Sequence, residues 1–211
     1  MSDSPFPIVV LISGGGSNLQ ALLDSRFHGV DFVVSGVISD RRGIRGLERA
    51  QSAGVEAEVV AWNEFDSRTA FTAALCNTAE RFGARGLVLA GFMRILAPNA
   101  IARFPNAIIN VHPALLPAFP GAHAVEHALE HGVTLTGATV HFVDEQVDHG
   151  PIIVQEAVSV EPDDDPASLH ARIQSVEHRL LPDVVAAFAR GALTVHGRHV
   201  RWGHMPEEAV G

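Results

Sequence analysis

Ile8-Val9-Val10-Leu11-Ile12-Ser13-Gly14-Gly15-Gly16-Ser17-Asn18-Leu19-Gln20 is the stretch that decides the fold. Its opening apolar run is rich in β-branched residues and shows no polar alternation, which predicts a short strand buried on both faces, as in a parallel sheet. The glycines then break the strand, and Leu19, Leu22 and Leu23 fall on one side of a helix predicted over 18–24. The same order repeats downstream. Strands are predicted at 32–38, 55–60, 86–90 and 107–111, with helices at 46–53 and 65–82 between them. This alternation predicts an α/β fold, a doubly wound and mostly parallel sheet with right-handed crossovers. After residue 130 the pattern changes. The longer segments 134–143 and 152–160 read as antiparallel strands extending the sheet, and a helix is predicted from 167 to 187. With neither a linker nor an internal repeat, 1–211 reads as a single domain.

Composition narrows the function classes. The 211 residues are 47% hydrophobic and 18% charged, an ordinary globular balance. No apolar stretch approaches the roughly 18 residues that span a bilayer, and 1–7 carry no secretory pattern. The lone Cys76 sits in an apolar helical context, where a core residue is expected rather than a nucleophile, and a chain with one cysteine suits a reducing, cytoplasmic setting. A net charge of -9 argues against nucleic acid as partner, because phosphate neutralisation needs clustered Lys and Arg. The expected partners are small molecules, with a homodimer as the one assembly entertained.

Two segments carry the chemistry. Gly14, Gly15 and Gly16 let the backbone approach an anion, and the helix behind them offers unpaired N–H groups, with Ser17 as a candidate cap. The loop lacks the Gly-Lys-Ser/Thr of a P-loop and the third glycine of a dinucleotide fingerprint, since position 19 is Leu. A monophosphate fits it better than a dinucleotide, and a tight structural turn is the plainer alternative. The second segment, Asn110-Val111-His112-Pro113, ends a strand predicted to be parallel, at the edge where open α/β sheets bind ligands. Alternation puts Asn110 and His112 on one side, an amide donor beside an imidazole, suited to stabilising an oxyanion and moving a proton. A carboxylate is then needed to orient the imidazole. Asp144, Glu145 and Asp148 all precede Gly150-Pro151, and spacing does not choose among them.

Four ordered motifs resemble the phosphoribosylglycinamide formyltransferases, folate-dependent enzymes of purine synthesis. They are Ser13-Gly-Gly-Gly-Ser-Asn-Leu-Gln20, Leu89-Ala-Gly-Phe-Met-Arg-Ile-Leu96, Asn110-Val-His-Pro-Ala-Leu-Leu-Pro117 and Asp148-His-Gly-Pro-Ile-Ile-Val-Gln155. The resemblance runs from about residue 8 to 188 and implies a Rossmann-like formyltransferase fold. It implies direct transfer of the formyl group of 10-formyltetrahydrofolate, a cosubstrate, to the amine of glycinamide ribonucleotide through a tetrahedral intermediate, with no metal. By the same resemblance Asn110, His112 and Asp148 are catalytic, and this is what selects Asp148. Gly15, Gly16, Ser17, Asn18 and Glu177 hold the ribonucleotide. Arg68, Met93, Arg94, Ile95, Leu96 and Asn110 hold the folate. The N-terminal half thus binds phosphate and ribonucleotide, while the C-terminal half binds folate and carries the catalytic groups. Glu177 by position alone reads as an ordinary surface residue.

The chain departs from the family pattern at Gly15, often Asn, at Ala114, often Ser, at Ala122, often larger, and at His149, often Gly. These changes bear on affinity more than on reaction type. Four readings compete with this one. Formyltetrahydrofolate deformylases share the Asn-His-Asp set but carry an extra N-terminal domain, not expected with a first strand at Ile8. Methionyl-tRNA formyltransferases need a basic surface for RNA. The spacing His123-Ala-Val-Glu126-His127, continued by His131, matches that of some zinc proteases, but a solvent-facing helical stripe explains it as well. A catalytically silent nucleotide-binding protein on the same fold is disfavoured by the intact Asn110, His112 and Asp148. Asp163-Asp164-Asp165 reads as a solvated turn before the last helix, and Arg41 and Arg42 as exposed.

Overall fold

The computed structural model describes residues 4–203, so the single-domain expectation for 1–211 extends at both ends onto residues outside that range. Strands β1 (Phe6–Ile12), β2 (Phe32–Ser39), β3 (Ala57–Val59), β4 (Gly86–Leu89) and β5 (Ile108–His112) pair in parallel, in the spatial order β3-β2-β1-β4-β5. Next come β6 (Leu135–Phe142) and β7 (Ile152–Ser159), each antiparallel to the strand before it. A hairpin of β8 (Leu193–His196) and β9 (His199–Trp202) completes nine strands, with β9 beside β7.

The alternation within β1 explains the layers. Ile8, Val10 and Ile12 point into one core, shared with helices α1 (Ser17–Leu23) and α6 (Pro166–Ala189) through Leu19, Leu22, Leu181, Val184 and Val185. Val9 and Leu11 point into the other, built with Phe71, Leu75 and Cys76 of α3 (Arg68–Arg81) and Ala100 of α4 (Pro98–Arg103). A strand buried on both faces needs no polar positions, which is the pattern read from 8–12. Burial pushes the Cys76 thiol up to about 11, as expected of a core residue. The remaining helices are α2 (Arg45–Ser52) and α5 (Ala124–Glu130).

Several local expectations are corrected. The strand expected at 55–60 is confined to Ala57–Val59. The helix expected from residue 65 begins at Arg68, after a 3-10 turn at Trp62–Glu64, because Ser67 accepts from the Ala70 N–H and caps it. Ser17 is not a cap. Gly16, at φ 70, precedes α1 and no side chain bonds to the helix start. Before α6 the acidic turn is built rather than merely solvated. Asp165 and Ser168 form a reciprocal capping box, and Asp164 pairs with Arg172, whose guanidinium holds that carboxyl down at about 2.

Candidate active site

The chain proceeds from β1 outward to β3 and then crosses back to β4, so β1 and β4 flank the switch point of the sheet. The loops leaving their carboxyl ends are Ser13–Gly16 and Gly91–Leu96, two of the four motif segments. Glycine at position 16 is dictated by geometry. The residue is left-handed at φ +70, and a Cβ there would lie 2.7 Å from Gly46 Cα at the start of α2. The Gly46 N–H donates to Gly14 O at 3.1 Å, and Arg49 Nε donates to Gly15 O at 2.9 Å, so α2 shapes the loop from behind.

Asn18, in the first turn of α1, is buried and donates through Nδ2 to Glu177 Oε2 at 2.9 Å. Its Oδ1 is buried with no partner. Glu177 is therefore not a surface residue, and burial pushes its carboxyl above the ordinary glutamate range against the weaker pull of Asn18. A signal for this was present. Ile173, Leu180, Leu181 and Val184 stand at helical spacing around position 177, at the centre of the apolar stripe of α6. A groove of about 500 Å³ runs alongside, lined by Ser17, Gln20, Arg49 and His178 among others.

On β5, Ile109 and Val111 face the α6 core, which leaves Asn110 and His112 on the opposite face. Loops 113–123 and 143–151 roof this part of the sheet. Asp148 lies in the second, at φ 50, a left-handed conformation uncommon for a residue with a Cβ. Its Oδ2 accepts from the Gly121 N–H at 2.7 Å and lies 3.4 Å from His112 Nδ1, while Oδ1 accepts from Asn110 Nδ2 at 3.3 Å. Burial alone would raise the Asp148 carboxyl. The charge of His112 and the Gly121 N–H outweigh it and hold the group below the usual aspartate range. Asp144, by contrast, turns outward to His149 Nδ1 at 2.8 Å, and Glu145 is exposed. The structure thus brings Asn110, His112 and Asp148 together and separates Asp148 from its acidic neighbours.

One residue of this cluster escaped the sequence reading. His141 on β6 stands directly across from Asn110, buried, with Nε2 3.1 Å from Asn110 Nδ2 and Nδ1 2.8 Å from Phe142 O. A donating Nδ1–H leaves Nε2 as the acceptor of the amide. The hairpin turn between β8 and β9 also reaches the site. Arg198 Nη2 donates to His149 O at 2.7 Å, beside Asp148.

The residues expected at the folate divide by exposure. Met93 and Ile95 stand out at 61% and 51% exposed, whereas Leu96 is buried; Val147, outside the expected set, is also exposed. Arg68 is exposed on the first turn of α3. Arg94 is half-buried, with Nε on Asp40 Oδ2 at 2.7 Å and its guanidinium 5.3 Å from the Trp62 ring. Arg41 and Arg42 are exposed, as expected, and pair with Asp40 and Glu64 respectively. His123 precedes α5 at φ 65, and among the described residues no group of His, Cys, Asp or Glu is arranged to hold a metal ion. Nor is any described helix long and apolar enough to cross a membrane.

Residues 7–185 match the formyl transferase family. The chain is 41% identical over 190 residues to the phosphoribosylglycinamide formyltransferase of Escherichia coli K12, covering 90% of each chain. To that of Mycobacterium tuberculosis H37Rv it is 44% identical over 201 residues, covering 95% of this chain and 93% of the relative. Among solved structures, glycinamide ribonucleotide transformylase 1 of Symbiobacterium toebii superposes with a TM-score of 0.92 at 48% identity, over 95% of both chains. An α/β sheet open at its switch point, Asn110 and His112 of β5 meeting Asp148 from loop 143–151, and these matches lead to one assignment: the chain belongs to the formyl transferase family.

Proposed function

We propose that this protein transfers the formyl group of 10-formyltetrahydrofolate to the amine of glycinamide ribonucleotide. The observation that carries the reading is the convergence of Asn110, His112 and Asp148 within 3.3–3.4 Å on one face of β5. The names of the relatives support formyl transfer to glycinamide ribonucleotide.

The acceptor half follows from the glycine loop and α1. The backbone at Gly15, Gly16 and Ser17 receives the phosphate at the positive end of α1. Asn18 and Glu177 take the ribose or glycinamide end. The unpartnered Asn18 Oδ1 and the acceptor oxygens of Glu177 suit hydroxyl or amine donors there. The donor half is assigned to the loop after β4, where exposed apolar Met93 and Ile95 suit a flat heterocycle, with Arg94 and Arg68 for its polar edges and the buried Leu96 anchoring the loop. When bound, the folate supplies the electrophilic formyl carbon.

Each catalytic group has a stated task. Asn110 stabilises the oxyanion that develops on the formyl oxygen. Both its N–H bonds are engaged in the free protein, to His141 Nε2 at 3.1 Å and to Asp148 Oδ1 at 3.3 Å, and the longer contact is the one the oxyanion takes over. His112 faces oxygens on both sides, Phe119 O at 2.7 Å from Nε2 and Asp148 Oδ2 at 3.4 Å from Nδ1. As an imidazolium it turns Nε2–H from that carbonyl to the oxyanion, while Asp148 stays ionised and holds the charge. Asp148 then assists transfer of the proton, through water, from the attacking amine to N10 of the folate, whose bond to the formyl carbon breaks as the oxyanion collapses. No covalent bond to the enzyme is required.

The test is folate absorbance on mixing the protein with 10-formyltetrahydrofolate, with and without glycinamide ribonucleotide. Loss of the formyl group that requires the ribonucleotide and yields its formylated product is the expected result. Loss without it would identify a hydrolase, and no reaction in either mixture would refute the reading.

A further inference from the structure

The buried carboxylate of Asp40 has no part in the chemistry above, yet it ties together two loops at the carboxyl edge of the sheet. It follows β2, its side chain is fully buried, and it accepts from Arg94 Nε at 2.7 Å. Arg41 Nε and Nη2 approach its two oxygens at 3.2 and 3.3 Å. The loop that carries Arg94 is held in turn by Ser13, whose hydroxyl accepts from the Met93 N–H at 2.8 Å and whose N–H donates to Gly91 O at 3.2 Å. One carboxylate thereby links the loop after β2 to the loop that carries Met93 to Leu96.

A buried carboxylate is costly unless it is compensated, and here the compensation comes from groups beside the reaction cleft. Arg94 uses Nε–H on Asp40. Among the described residues no acceptor bonds to its two terminal nitrogens, and Trp62 supports the guanidinium plane from one side. A guanidinium held at Nε has lost most of its freedom to swing, but it keeps the planar pair of terminal donors that suits a carboxylate or a polar ring edge. We propose that Asp40 is a positioning residue for the folate, acting through Arg94. This rests on the functional reading above.

The experiment is a double-mutant cycle of Asp40→Asn, Arg94→Ala and the pair. It reads kcat, KM for each substrate, and the folate Kd from Trp62 fluorescence in a Trp202→Phe background. Asp40→Asn should raise folate KM and Kd by about 5- to 10-fold, as loss of one charge-assisted bond does, with the loss in folate KM rather than in kcat or in acceptor KM. In the Arg94→Ala background the same change should add less than about twofold, because coupled groups are not additive. An unchanged folate Kd in Asp40→Asn, or a full effect that persists without Arg94, would overturn the proposal. If Asp40→Asn does not fold, Arg94→Lys decides. A lysine can satisfy Asp40 with its single ammonium but has no second donor pair, so it should behave like Arg94→Ala, and restoration of wild-type Kd by lysine would refute the assignment. Wild-type protein that performs no ribonucleotide-dependent formyl transfer would instead sink the functional reading itself.

Discussion

Replacing Gly16 by alanine perturbs the acceptor half-site by a single methyl group, and the structure supplies the magnitude. Position 16 is left-handed at φ +70, where an alanine costs about 1–2 kcal/mol. The added Cβ would also stand 2.7 Å from Gly46 Cα, and that neighbour is backbone and cannot rotate away. Forcing such an overlap costs a further 1–3 kcal/mol or so. A total of roughly 2–5 kcal/mol corresponds to a fall in Tm of about 4–20 °C for a chain of this size. The relaxation available is separation of the glycine loop from α2, which breaks the Gly46 N–H to Gly14 O bond and displaces the donors assigned to the phosphate. Acceptor KM should therefore rise at least about tenfold, the equivalent of one charge-assisted hydrogen bond, with a smaller change in folate KM. Gly15→Ala is the control. That position is not left-handed and its Cβ would meet nothing within 4 Å, so Tm should stay within about 2 °C of wild type. Thermal unfolding and steady-state kinetics on the two variants check the argument. Equal Tm values, or an unchanged acceptor KM in Gly16→Ala, would refute it.

Other consequences can be measured on the same protein. His112→Ala and Asp148→Asn should each lower turnover by at least about 10², in line with acid–base contributions, while the proteins remain folded by circular dichroism; near-normal turnover in either removes the assigned role. Glu177→Gln should raise acceptor KM. Because burial raises the Glu177 carboxyl, its ionised form opposes folding, so the glutamine variant should match or exceed wild-type Tm at pH 7, with the gap narrowing as pH falls toward 4.5. A glutamine variant of lower Tm at pH 7 would contradict that sign. Asp164 is displaced the other way. Its carboxyl is lowered from 3.8 to about 2 by Arg172, so it stabilises the fold above pH 3.8 and that contribution is lost as pH falls toward 2. A plot of Tm against pH should fall less steeply over that window in Asp164→Asn, and parallel curves would count against the ion pair.

What the sequence could and could not disclose follows from which interactions are local. The β1 strand was legible because burial on both faces removes every polar position, and the Asn110–His112 pair because a strand's period of two is set by its own backbone. Asp148 was not separable from Asp144 and Glu145 by spacing. The choice depends on a left-handed residue and on how loop 143–151 folds back over β5, which no local pattern encodes. His141 was hidden for a similar reason, since its partner Asn110 is set by the antiparallel register of β5 and β6. The hairpin of β8 and β9 left a faint trace, two short alternating runs around Gly197-Arg198, too short to separate from loop. Helix α4 has only six residues, below the length at which periodicity speaks. The Asp40 cluster joins residues 40 and 94, from the loops after β2 and β4, and such a junction is visible only once the sheet has formed.

The bond between Asn18 and Glu177 joins residues 159 positions apart, and the Arg190 to Asp31 pair has the same separation. Both fasten α6 to the opening unit of the chain. Contacts of such long range form late, after most of the chain entropy has been lost. On refolding from denaturant, sheet and helix signals should therefore recover before ribonucleotide binding does. Acceptor affinity becomes a clock for the last stage of assembly, and a protein that has formed all its secondary structure but not seated α6 will be inert.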